Sequence, residues 1–180
     1  NTLEFPEAYP NASTERLPSP GGAIANLIQG DDWKNEWSST EIDNWETSDN
    51  TLTYTGSSAN TISYQPTNDT EDYGAKVSLI QPLDEEGVPI APTEAIGMAL
   101  GEDLSVVWNP STGWSLTLSG TTETIESPIA NTSGFGVEWL LMSSNDPVSG
   151  NTSVFFMVDG LLLYSNLNAS SIKGALSLQL

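Results

Sequence analysis

The chain has 180 residues, with 24 acidic residues against four basic ones (Arg16, Lys34, Lys76 and Lys173) and a formal net charge of -20. It contains no histidine and no cysteine, which excludes Ser-His-Asp catalysis, imidazole acid-base chemistry, the usual zinc sites, thiolate nucleophiles and disulfides. The deficit of Lys and Arg also excludes a phosphate backbone as partner and leaves nothing to attract an anionic membrane.

Residues 1–30 are rich in proline and glycine, with Pro6, Pro10, Pro18 and Pro20 interrupting any regular element before Gly21-Gly22. We expect an extended N-terminal arm here. Its apolar residues Leu3, Phe5 and Tyr9 alternate as in one edge strand, suited to lie along a sheet of this chain or of a neighbour. Residues 31–180 are expected to form a single domain around one core, which six tryptophans, five tyrosines and four phenylalanines can fill.

Beyond the arm, apolar residues recur with a period of two: Leu52 and Tyr54, Ile62 and Tyr64, then Ala75, Val77 and Leu79. Trp114, Leu116 and Leu118 repeat the pattern, as do Val137, Trp139 and Leu141. Between them stand turn formers, including Gly56-Ser57-Ser58, Asn109-Pro110, Ser119-Gly120 and Asn145-Asp146-Pro147. Short helical turns are expected only at Ala23–Ile28 and Pro92–Leu100. Asp159-Gly160 joins two β-rich runs, Val154–Val158 and Leu161–Tyr164, and predicts a hairpin with a type I′ turn. A closing strand over Gly174–Leu180 directs Leu176, Leu178 and Leu180 inward. The fold expected is all-β, a two-layer antiparallel sandwich.

Three phrases carry a resemblance. Asp43-Asn44-Trp45 leads through Asp49-Asn50-Thr51-Leu52, a hairpin phrase runs from Phe156 to Leu163, and a Gly-led strand ends the chain from Gly174. In this order they resemble the concanavalin A-like lectin and glucanase sandwiches, in particular the laminin-G-like branch. The resemblance implies a jelly roll over 31–180, in a superfamily that includes lectins, hydrolases and purely structural domains.

Glu41, Asp43 and Glu46 reproduce the E-x-D-x-x-E spacing of retaining glucanases resembling family 16. On one bulged strand they would share a face and set two carboxyls about 5 Å apart. The competing assignment places Trp45 in the core and leaves Glu41 facing water. Trp33, Trp37 and Trp108 are the candidates for stacking on a glycan, while Trp45, Trp114 and Trp139 fall in strand register and belong to the core. Calcium is the one cofactor the composition suits, with Asp69, Glu71 and Asp72 as candidate ligands in a loop.

Sequons occur at Asn11, Asn68, Asn131, Asn151 and Asn168. Together with the start at Asn1 they point to a glycoprotein exported after removal of a signal peptide. The function expected is a non-catalytic, extracellular structural or adhesive subunit that self-assembles at a microbial surface by arm docking and cation bridging. The alternatives are a carbohydrate-binding module and a retaining glucanase. The expected partners are accordingly further copies of the chain, or glycans.

Overall fold

The computed structural model describes residues 27–28, 32–48, 51–65, 73–79, 83–88, 90, 92–126 and 138–180. Thirteen strands are present among them: β1 (Trp37–Ser38), β2 (Trp45–Ser48), β3 (Thr51–Tyr54), β4 (Thr61–Tyr64), β5 (Tyr73–Ser78), β6 (Ile96–Leu100), β7 (Leu104–Asn109), β8 (Gly113–Leu118), β9 (Thr121–Ile125), β10 (Glu138–Asn145), β11 (Thr152–Val158), β12 (Leu161–Ala169) and β13 (Leu176–Gln179). Two single 3-10 turns, Trp33–Glu36 and Ile42–Asn44, precede β1 and β2.

The strands form a seven-stranded antiparallel sheet in the order β1-β4-β13-β6-β7-β8-β9 and a four-stranded one in the order β12-β11-β10-β5, with β2-β3 as a separate hairpin. The two large sheets face each other. Trp114 of β8 meets Trp139 of β10 at a ring distance of 4.7 Å and Phe156 of β11 at 5.3 Å. Alternation produces this directly, because β7 buries Leu104, Val106 and Trp108 while β11 buries Val154, Phe156 and Val158. Trp45, Trp114 and Trp139 all lie in the core, as strand register predicts.

The turns follow their residues. Asp159 (φ 49°) and Gly160 (φ 78°) both occupy the left-handed region, as a type I′ turn requires, and Val158 pairs with Leu161 across it. Ser119 and Gly120 build a second such turn between β8 and β9. Asn109 closes the β7–β8 turn by accepting the Ser111 N–H at 2.8 Å. The last strand, β13, lies inside the larger sheet, flanked by β4 and β6.

One expectation fails. Pro92–Leu100 forms no helical turn; its second half is β6, where Ile96, Gly97, Met98 and Leu100 are all buried. Ile96, Met98 and Leu100 face the core, and Gly97 and Ala99 between them are small and apolar, so the run is continuously apolar and carries no hydrophobic period to read. Of the turn expected at Ala23–Ile28, only Leu27 and Ile28 are described.

Candidate functional site

The three carboxylates of the E-x-D-x-x-E motif do not lie on one strand. Glu41 precedes the 3-10 turn Ile42–Asn44, Asp43 lies within that turn, and Glu46 is on β2, exposed on the face opposite buried Trp45. The alternating-face geometry expected of a bulged strand is therefore not formed, because the chain coils between Glu41 and Trp45. Nor does Glu41 simply face water. Its Oε2 accepts the Tyr54 hydroxyl at 2.6 Å and the Asn44 amide at 2.8 Å, and these two hydrogen bonds, led by that from Tyr54, hold its carboxyl below the usual range. The phenol of Tyr54 is pushed up by the same carboxylate, whose hydrogen bond is the largest cause. Tyr54 also lies against the Trp45 ring at 4.8 Å. Glu41 thus fastens the β2–β3 hairpin to the turn before it.

The glycan candidates need a correction of the same kind. Trp33, Trp37 and Trp108 are 6 %, 4 % and 7 % exposed and join the core, so none offers the open ring face on which a sugar stacks. Trp37 donates its Nε1–H to the Leu27 carbonyl at 2.8 Å and packs edge-on against Tyr64, and Lys34 lies over the Trp33 ring at 5.7 Å. For Trp108 the alternation Leu104-Val106-Trp108 carries the signal; for Trp33 and for Glu41 and Glu46 spacing alone could not reveal it, since the two 3-10 turns that tuck Trp33 inward and hold Glu41 apart from Glu46 have no hydrophobic period.

Asp69, Glu71 and Asp72 lie outside the described residues, as do Leu3, Phe5 and Tyr9 of the arm and the sequons at Asn11, Asn68 and Asn131. Among the described residues no three acidic side chains come together in a way that could hold a cation. Asn151 and Asn168 are both described and are neighbours across the β11–β12 ladder, where the Asn151 amide donates to Asn168 Oδ1 at 2.9 Å.

The feature that sequence reading missed is β12. It is the outermost strand of the four-stranded sheet, and among the described residues no strand pairs with its other side. Its sequence, Leu161-Leu162-Leu163-Tyr164-Ser165-Asn166-Leu167-Asn168-Ala169, carries no charge in a chain with 28 charged residues (24 acidic and four basic). Leu161, Leu162 and Leu167 are 42 %, 50 % and 60 % exposed. Register shifts in its pairing with β11, between Thr152 and Val154 and between Phe156 and Met157, bulge the strand.

Tyr164 and Asn166 pair with the core residues Phe156 and Val154, and so turn toward the opposite sheet. There they face Leu116 and Leu118 of β8 and Thr121 and Glu123 of β9 across an open groove of about 270 Å³, with Asn168 at its rim. That is below the roughly 300–1,000 Å³ of pockets that enclose small ligands. A missing charge pattern on β12 was the signal available in the sequence; its edge position was not.

No protein-family model matches the sequence, and no curated protein matches it. Among solved structures, the chain is similar to the crystal structure of the Emp47p carbohydrate recognition domain, at 12 % identity over 85 % of this chain and 83 % of that one, with a TM-score of 0.42.

Proposed function

We propose that this protein is a non-catalytic structural or adhesive subunit that works outside a microbial cell by associating with further copies of itself through the edge of β12. The observation supporting this reading is the uncharged, leucine-bearing edge of β12, with which no strand pairs among the described residues. Soluble proteins guard such edges with charges, prolines or covering segments, because unpaired N–H and C=O groups recruit another strand. Here bulges twist the edge, but no lysine or glutamate blocks it. The charge elsewhere sets the conditions: copies carrying -20 repel one another until salt screens them, since the Debye length shortens from about 10 Å at 0.1 M to about 3 Å at 1 M. Screening suffices for the reading, and a bridging calcium ion is not required by it.

Sedimentation and electron microscopy between 0.05 and 3 M NaCl test the reading. The expected result is growth of oligomers with salt, lost when Leu162→Lys and Leu167→Lys place charges on the strand. A native chain that remains monomeric throughout, in the presence and absence of calcium, overturns it.

A carbohydrate-binding reading has one observation in its favour, the half-buried Tyr164 ring beside Asn166, Asn168 and Glu123 in the groove. An aromatic face flanked by amide and carboxylate groups is suited to a sugar ring. Glycan-array binding abolished by Tyr164→Ala would support this second reading. A blank array would remove it.

A further inference from the structure

Among the described residues, the four-stranded sheet stops short of the strands it faces. At the far end of the larger sheet, Thr121 to Thr124 of β9 are exposed and only Ile125 is buried, while Leu118 of β8 is half-buried beside the groove. The position next to β12, opposite β8 and β9, is that of a fifth strand.

The geometry points to a specific occupant: residues 3–9 of a second copy of this chain, laid along the edge of β12 with alternate side chains turned into the groove. This deepens the assembly reading above and rests on it.

The order of residues in the arm fits that place. In an extended strand, alternate residues direct both their side chains and their N–H and C=O groups to opposite sides. Leu3, Phe5 and Tyr9 share one parity, and Pro6 and Pro10 share the other. A strand bonded to β12 through residues 3, 5, 7 and 9 therefore turns both prolines away from the ladder, where their missing N–H groups cost nothing. Such a strand pairs on one side only and ends the sheet. Leu3 and Phe5 would meet Leu116 and Leu118, the Tyr9 hydroxyl would find Asn166, Asn168 or Glu123 as a partner, and Glu7, on the same face, would lie at the open side of the groove in contact with water.

The second copy is chosen because the assembly reading above brings another subunit to β12, and the place where the arm begins is compatible with it. Leu27 is fixed by its hydrogen bond from Trp37, at the start of β1. β1 and β9 are the two outermost strands of the larger sheet, so the arm leaves at one end and the groove opens at the other. Six strand spacings at about 4.8 Å separate them by roughly 29 Å, a distance that the extended chain from Tyr9 to Leu27 can cover, so cross-linking decides which copy's arm fills the groove. A donor and an acceptor on opposite ends of one body make a head-to-tail contact, which repeats into an open chain of subunits.

The absence of cysteine makes the test direct. Full-length Phe5→Cys and full-length Asn166→Cys proteins are mixed at high salt and oxidised, with Ser38→Cys on β1 replacing Asn166→Cys as the control acceptor; near-UV circular dichroism confirms that each variant is folded. The expected result is a disulfide-linked heterodimer at least tenfold more abundant than with the control. An equal yield with both acceptors overturns the proposal. So does a double variant, Phe5→Cys with Asn166→Cys, that cross-links only within the monomer, since the chain's own arm then fills the groove. Deletion of residues 1–20 separates this idea from the reading beneath it: if the deleted protein still assembles and Leu162→Lys still prevents assembly, β12 is the interface but the arm is not its occupant.

Discussion

The indole Nε1–H of Trp45 donates to Oδ1 of Asn60 at 3.2 Å, at a point where Trp45 is fully buried and Asn60 is 8 % exposed. The same Asn60 oxygen accepts the Ser39 hydroxyl, its amide donates to Thr40 Oγ1 at 3.1 Å, and its backbone exchanges hydrogen bonds with Leu180 at 2.9 and 3.1 Å. One asparagine thereby joins the segment before β2 to the end of the chain. Asn60→Ala leaves a buried indole N–H without its partner and should cost about 2 kcal/mol, measured by urea unfolding.

The Glu41–Tyr54 hydrogen bond predicts a pH window. The Glu41 carboxyl is held below its ordinary value of 4.5, chiefly by Tyr54 and then by Asn44, so it stabilises the fold above that value and loses its contribution as pH falls through the folded-state value. The Tyr54 phenol is raised above 10.0, so its contribution is full below that value and is lost as pH climbs through the raised one. Glu41→Gln should therefore destabilise the protein most between these limits and progressively less as the pH falls below 4.5. A tyrosine absorbance titration should show one phenol moving down in the variant.

Gly101 and Gly174 meet backbone to backbone. A Cβ on Gly101 would lie 2.0 Å from the Lys173 carbonyl oxygen, and one on Gly174 would lie 2.5 Å from the Gly101 Cα. Their φ values, 63° and 132°, add strain for any L side chain. Either residue changed to alanine should lose about 3 kcal/mol or more, because backbone cannot rotate out of the way. Gly87→Ala, with φ 79° and open space around it, should cost only about 1 kcal/mol by the same denaturation assay.

Thr152 is 1 % exposed, and among the described residues its Oγ1 has no hydrogen-bond partner. Thr152→Val keeps the shape and removes the stranded hydroxyl. Thermal unfolding should show a gain of about 1 kcal/mol, and the Asn151 sequon is retained because its middle position tolerates valine.

Acid should substitute for salt. Protonating carboxylates as pH falls toward the pI of about 4.1 removes the repulsion between copies, so light scattering at low ionic strength should report oligomers that Leu167→Lys suppresses. Scattering that rises equally in the variant would indicate precipitation in place of strand pairing.

Much of this architecture was legible in the residues. Half-buried strands announce themselves by alternation, as in Trp114-Leu116 and Val154-Phe156-Val158, and Asp159-Gly160 names its own turn because few residues accept positive φ. β6 was illegible because small apolar residues, Gly97 and Ala99, stand between its inward residues and erase the contrast on which a period is read. The E-x-D-x-x-E spacing misled for a related reason: a motif fixes separation along the chain, and a 3-10 turn between Glu41 and Trp45 redirects every side chain that the spacing aligns.

By itself, then, the sequence determined the β-sheet class, the inward faces of most strands and the poverty of reactive groups, since these depend on local period and composition. Tertiary structure alone decided that Trp33 and Trp37 are core residues, that Gly101 must meet Gly174, and that uncharged β12 stands at a sheet edge. Those facts belong to strand order, and strand order is settled by contacts between residues far apart in the chain, where no local pattern reaches.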